Sequence, residues 1–122
     1  MTVLVVEDEV LIRMEIRDFL EDCGVAVVEA ADATEALEVL RSGRRLDLVL
    51  TDLQMPGERD GIDVALWVKE NGGELPVIVT TGNAELAERA QEVCENASYL
   101  PKPLAYGKLR ARLAELSCDR AE

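Results

Sequence analysis

The chain has 122 residues, enough for one domain and too few for an additional catalytic or DNA-binding module. Hydrophobic residues make up 48% and charged residues 31%, a balance that excludes an intrinsically disordered chain. With 25 acidic against 13 basic residues the formal charge is -12, the wrong sign for a direct DNA or RNA reader, and the lack of any histidine removes Ser-His-Asp and Cys-His catalysis, histidine-ligated metals and phosphotransfer through a histidine.

The first apolar run, Val3 to Val6, predicts a strand and meets acid at Glu7, too soon for a signal peptide or a membrane span. A soluble, cytoplasmic protein with no membrane partner is expected. Ile12, Ile16, Phe19, Leu20 and Cys23 then recur on one helical face, with Gly24 as the stop. The second strand is predicted at Val25 to Val28. Asp32-Ala33-Thr34-Glu35 has the capping-box pattern and opens a helix with Ala33, Ala36, Leu37 and Leu40 inward, ending at Gly43. A third strand is predicted at Leu46 to Leu50 and a third helix from Ile62 to Asn71, closed by Gly72-Gly73. Trp67 is expected in the core or as partly covered surface. The fourth pair is Val77 to Thr80 and a helix over Ala84 to Glu95. The last is a short strand around Ser98 to Leu100 and a helix with Leu109, Leu113 and Leu116 in one stripe, with Tyr106 near its start. The polar composition from Ser117 predicts fraying, which gives a domain over 1–117 and a polar tail over 118–122. Cys23, Cys94 and Cys118 are odd in number and lack any CxxC spacing, so reduced, mostly buried thiols are expected.

Strand then helix, five times over, implies parallel strands joined by right-handed crossovers. Continuous rather than alternating apolar strands agree, because both faces of such a sheet are covered by helices. The expected fold is therefore α/β, a flavodoxin-like (βα)5 three-layer sandwich with sheet order 2-1-3-4-5. Ligands are expected at the carboxyl ends of its strands, near the switch between the first and the third.

Unusual polar residues collect at those ends. Glu7, Asp8 and Glu9 follow the first strand, Asp52 the third, Thr80, Thr81 and Gly82 the fourth, and Lys102 the fifth. Neighbouring strands would bring carboxylates, hydroxyls and an ammonium to one edge. Carboxylates packed together disfavour one another's ionised form unless a counter-ion is present. All-oxygen donors favour magnesium, manganese or calcium, and magnesium commonly takes one or two carboxylates plus phosphate oxygens. Lys102 and a backbone amide near Gly82 would face a phosphoryl oxygen from the other side.

The stretches VLVVEDE, TDLQMP, PVIVTTGN and YLPKPL, in that order and at the predicted strand ends, resemble the receiver domain of two-component response regulators, as in the single-domain chemotaxis regulator. The resemblance covers nearly the whole chain. It implies Asp52 as phosphoacceptor, Glu7, Asp8 and Asp52 with the Gln54 backbone carbonyl as ligands of Mg²⁺, with Mn²⁺ as the other suitable ion, and Thr81, Gly82 and Lys102 as the phosphate-binding set. It further implies a cis bond before Pro103, a switch pair in Thr81 and Tyr99, and Gln54 and Asn83 at the positions that tune hydrolysis. The partners it implies are a histidine kinase or histidine phosphotransfer protein and an output protein that reads the surface of the fourth helix, fifth strand and fifth helix, either for a stand-alone adaptor or for a piece of a larger regulator. One departure is an extra residue in Pro56-Gly-Glu-Arg-Asp60-Gly61, which predicts a loop of different shape beside the site.

Two other readings use the same residues. A magnesium-dependent phosphohydrolase of the aspartyl-phosphate type would want an acid or base two residues after its nucleophile, and Gln54 is neither. A receiver-like interaction domain that never takes phosphate would have no need of the full residue set. An FMN carrier is excluded by Glu7-Asp8-Glu9, which would repel a phosphate.

Overall fold

The computed structural model describes residues 1–55 and 57–117 with their side chains and the backbone of 118–121. Its elements are β1 (Thr2–Val6), α1 (Val10–Asp22), β2 (Ala26–Ala30), α2 (Ala33–Arg41), β3 (Leu48–Asp52), α3 (Gly61–Asn71), β4 (Val77–Thr81), α4 (Ala84–Val93), β5 (Ala97–Pro101) and α5 (Tyr106–Ala121). The strands form one sheet in the order β2-β1-β3-β4-β5, and every pairing is parallel. This is the expected flavodoxin-like order.

Strand periodicity divides the core into two layers. Val3, Val5, Leu48, Leu50 and Ile78 face one way and pack with Ile16 and Leu20 of α1 and Leu109 and Leu113 of α5. Leu4, Val6, Val49, Val77 and Val79 face the other way, against Leu37 of α2, Val64 and Val68 of α3 and Ala90 of α4. Both faces are covered, so β3 and β4 are buried along their whole length. The inward set expected for α2, Ala33, Ala36, Leu37 and Leu40, is the set that is buried. Trp67 is partly buried against the second layer. Cys94 is buried and Cys23 half-buried, both as free thiols, while the Cys118 side chain lies outside the described residues.

The boundaries differ from the sequence reading in ways that have physical causes. β3 runs two residues later than the apolar run suggests. Asp47 is taken up at the strand entrance, where its amide donates to the Thr2 carbonyl at 2.8 Å and its carboxylate accepts from the Thr2 amide at 2.7 Å. Asp52 is thereby the last residue of the strand rather than a residue beyond it. The capping box predicted for α2 forms only in part: Asp32 accepts from the Glu35 amide, but the Glu35 carboxylate accepts from Ala31 instead of from Asp32. A full reciprocal box lies on α3 instead, where Asp60 accepts from the Asp63 amide and Asp63 from the Asp60 amide, so that helix opens at Gly61. α4 stops at Val93 because Cys94 turns into extended backbone. α5 runs to Ala121, past Ser117 where polar composition predicts fraying, since Leu, Arg and Ala sustain a helix and no Gly or Pro follows Gly107 in its first turn. Of the longer loop before α3, Pro56 lies outside the described residues, and Gly57 has the left-handed φ of 105°.

Candidate functional site

Glu7 follows β1 directly and is 2% exposed, and Asp52 at the end of β3 is 5% exposed. The β1–β3 pairing puts Val6 beside Thr51, so the two carboxylates meet at one sheet edge. Asp8 joins them half-buried, and one carboxylate oxygen from each of Glu7, Asp8 and Asp52 lies within 4.8 Å of the others. Lys102, next after β5, reaches across: its Nζ donates to Asp52 Oδ2 at 2.7 Å and lies 3.6 Å from Glu7 Oε2. The Lys102–Pro103 bond is cis.

Both oxygens of Asp52 are engaged. Oδ1 accepts from the Gln54 amide at 3.1 Å, and Oδ2 accepts from Lys102. One ammonium does not balance three carboxylates. Burial, followed by the charges of Asp52 and Asp8, pushes the Glu7 carboxyl up to about 7, against the opposing pull of the Glu9 amide and of Lys102. For Lys102 burial favours the neutral form, but the hydrogen bond and charge of Asp52 and the charge of Glu7 outweigh it, so its pKa lies above that of an ordinary lysine.

The remaining residues expected at the site divide into two groups. Thr81, wholly buried at the end of β4, donates its hydroxyl to Gln54 Oε1 at 3.3 Å and accepts from the Asn83 amide at 3.1 Å. The Thr81 carbonyl accepts from the Tyr99 hydroxyl at 3.0 Å and from the Lys102 amide at 3.1 Å, so Gln54, Thr81, Tyr99 and Lys102 are joined in one network. Gly82 and Asn83 are exposed, and the Asn83 carboxamide caps α4 by accepting from the Glu85 and Leu86 amides.

Two further residues shape the site. Arg13, one turn into α1, donates from Nη1 to the Glu7 carbonyl at 2.7 Å while its Nε lies 3.2 Å from Glu29 Oε1 on β2. It ties the loop that carries Glu7 and Asp8 to the neighbouring strand. Gly61 opens α3 directly under Asp52: a Cβ there would stand 2.4 Å from the Asp52 carbonyl oxygen. No local sequence signal marks Arg13, because Glu29 lies on another strand. Gly61 carries the faint signal of a glycine where a helix former would serve better.

The chain is thus of the class of α/β sandwich modules with an acidic edge, a lysine on one of its carboxylates and a buried threonine beside it. Residues 3–114 match the family model of the response regulator receiver domain, and the chain belongs to that family, the receiver domains of two-component signalling. It is 38% identical over 117 residues to the response regulator MprA of Mycobacterium avium (strain 104), covering 95% of this chain and 50% of that protein. The same regulator of Mycobacterium ulcerans (strain Agy99) is 38% identical over 115 residues, covering 93% of this chain and 49% of that protein. The chain thus spans about half the length of the curated relatives it matches. Among solved structures, it resembles the signal receiver domain of an HD domain-containing protein from Pseudomonas fluorescens Pf-5, with TM-score 0.88, 27% identity and coverage of 99% of this chain and 98% of that one. The receiver domain of NtrX from Brucella abortus gives TM-score 0.83 at 31% identity over 93% of this chain and 96% of that one.

Proposed function

We propose that the chain is a phosphoacceptor module in which Asp52 takes a phosphoryl group from the phosphohistidine of a partner kinase or phosphotransfer protein, or from a small phosphodonor. The observation that carries this reading is the Lys102 ammonium held 2.7 Å from an almost buried Asp52 at a carboxylate edge. One Asp52 oxygen attacks phosphorus in line as the bond to the donor breaks and the leaving group departs with its electron pair. Lys102 moves from the Asp52 carboxylate to a phosphoryl oxygen without leaving the site. The Thr81 hydroxyl exchanges Gln54 Oε1 for another phosphoryl oxygen, near the Gly82 amide. Tyr99, bonded to the Thr81 carbonyl, is carried with that shift, and the α4–β5–α5 face presented to an output partner changes as a pre-existing minor state gains population.

Glu7, Asp8 and Asp52, with the Gln54 main-chain carbonyl, suit Mg²⁺, and Mn²⁺ as a substitute: the donors are hard oxygens drawn together, three carboxylates against the single ammonium of Lys102. When bound, the ion neutralises carboxylate and phosphoryl oxygens together. Gln54 and Asn83 stand where they would set the lifetime of the phosphoryl group. The module is taken as residues 1–117, cytoplasmic, with no turnover beyond its own phosphorylation and dephosphorylation. Its direct partners are then a kinase and an output protein, rather than nucleic acid or membrane.

The test is intact mass after incubation with Mg²⁺ and acetyl phosphate, beside Asp52→Ala. One added phosphoryl group on the parent, absent from the variant and from metal-free samples, is expected. No adduct from acetyl phosphate or from phosphohistidine donors, together with a melting temperature indifferent to Mg²⁺, would overturn the assignment in favour of a phosphate-independent docking domain.

A further inference from the structure

At the end of the sheet opposite Asp52, the C-terminal ends of α2 and α3 border an open surface hollow of about 480 Å³. Arg41, Arg44 and Arg45 stand at it, exposed, and among the described residues none has a carboxylate within ion-pair distance. Its apolar part comes from Leu40, Leu46, Trp67 and Leu75, and no acidic side chain lines it; Asp63 and Glu70 lie in the adjoining hollow that Arg41 and Trp67 also border, beside Arg59. In a chain of net charge -12, three arginines within five residues around an apolar hollow form a local field of the opposite sign. The two helix ends oppose it only weakly, with about half a negative charge each against three full positive ones. Arg41 closes α2 and is favoured there by the helix dipole; Arg44 and Arg45 lie beyond the helix and gain little from it.

We propose that this hollow is a docking site for an acidic peptide segment of a partner protein, with one apolar side chain anchored against Trp67 and flanking carboxylates on the arginines. Arginine beside an indole is the composition that concentrates binding energy in protein interfaces. A nucleic acid fits less well, because three charges cover few phosphates and the rest of the surface is acidic. Since the hollow and Asp52 lie at opposite ends of the sheet, such a partner could be held before and after phosphoryl transfer alike.

Trp67 is the chain's only tryptophan, so its fluorescence reads the site directly. The probe is a short peptide of Asp and Glu with a central Leu-Phe pair, titrated into the full chain. A saturable change in Trp67 emission is expected, weakening with salt, and binding roughly tenfold or more weaker in R41Q/R44Q/R45Q. That variant should melt and accept phosphate from acetyl phosphate as the parent does, which separates this site from the one at Asp52. No saturable change in emission, equal binding by the variant, or tighter binding of a single-stranded oligonucleotide than of the peptide would each overturn the proposal.

Discussion

Gly61→Ala is expected to destabilise the chain even though it replaces a helical glycine with the best helix former. The added Cβ would stand 2.4 Å from the Asp52 carbonyl oxygen and 2.8 Å from the Leu53 Cα, both of them backbone atoms that cannot swing aside. Restoring ordinary separations of about 3.5 Å requires α3 and the end of β3 to part by roughly 1 Å. Overpacking of this kind costs about 1–3 kcal/mol, while a glycine-to-alanine change at a permissive site returns about 0.4–1 kcal/mol through the unfolded state. A net loss of roughly 1–2 kcal/mol lowers the melting temperature by roughly 4–8 °C in a domain of this size. Gly107→Ala is the matched control: that glycine lies in α5 with nothing near the added Cβ and no left-handed φ, so the melting temperature should rise by a few degrees. Because the displaced atom belongs to Asp52, the Gly61 variant should also take phosphate from acetyl phosphate more slowly at temperatures where it is folded, and the Gly107 variant should not. A Gly61→Ala protein that melts at or above the parent would refute the close packing of α3 on the site.

Other expectations follow from the charge balance. With its carboxyl at about 7 in the folded chain against 4.5 as the ordinary value, Glu7 binds more protons folded than unfolded. Its contribution to the metal-free protein is therefore fully present below about pH 4.5 and lost as pH rises through about 7, by an amount on the order of 3 kcal/mol at most. Glu7→Gln should flatten the fall in metal-free melting temperature between about pH 5 and about pH 8, and an unchanged slope would count against the assignment. Mg²⁺ affinity of the parent, by titration calorimetry, should rise over the same range as the proton leaves. Arg13→Ala should weaken Mg²⁺ binding by roughly tenfold through the loosened Glu7 loop, at a small stability cost, and equal affinity in variant and parent would remove Arg13 from the site. Gln54→Ala should free the Thr81 hydroxyl and alter phosphoryl lifetime, measured by the decay of the mass adduct. A lifetime equal to that of the parent would show that the Gln54–Thr81 bond has no part in the switch.

The fold was legible because a parallel sheet covered on both faces leaves a plain trace, valine-rich runs without alternation between helical stripes. Legibility failed at the edges of those runs. Leu46 continues the hydrophobic character of β3, yet Asp47 is claimed by the Thr2 backbone, a contact that exists only once β1 lies alongside. The capping signal is plain at Glu35 and faint at Asp63, since Glu or Gln is the usual residue at the third position while Asp closes the box on α3 as well. At the site, Glu7, Asp8, Asp52 and Lys102 were visible because they interrupt or end apolar runs at one edge. Arg13 and the hollow that Trp67 shares with Arg44 and Arg45 depend on pairings between elements distant in the chain, which nothing local encodes, and Gly61 carries only a faint local signal.

The two hydrogen bonds on Asp52 also bear on how the proposed phosphoacceptor would react rather than stay locked. A carboxylate tied at Oδ1 by a main-chain amide and at Oδ2 by an ammonium is a poor nucleophile until one bond yields. The Gln54 amide belongs to the backbone and cannot move without disturbing the loop after β3. Lys102 is a flexible stem whose side chain is 32% exposed and whose ammonium is already shared with Glu7, so it is the bond that can yield cheaply. An incoming phosphoryl group offers Lys102 new oxygens close to the one it gives up, and the exchange leaves its charge satisfied throughout. On this reading the lysine both restrains the free carboxylate and rewards its phosphorylation, and Lys102→Ala should leave Asp52 still able to react while the modified state loses its hold on Thr81 and Tyr99. A mass adduct that forms without the change in α4–β5–α5 hydrogen exchange seen in the parent is the expected signature, and an unchanged exchange response in the variant would show that the lysine is only a counter-ion.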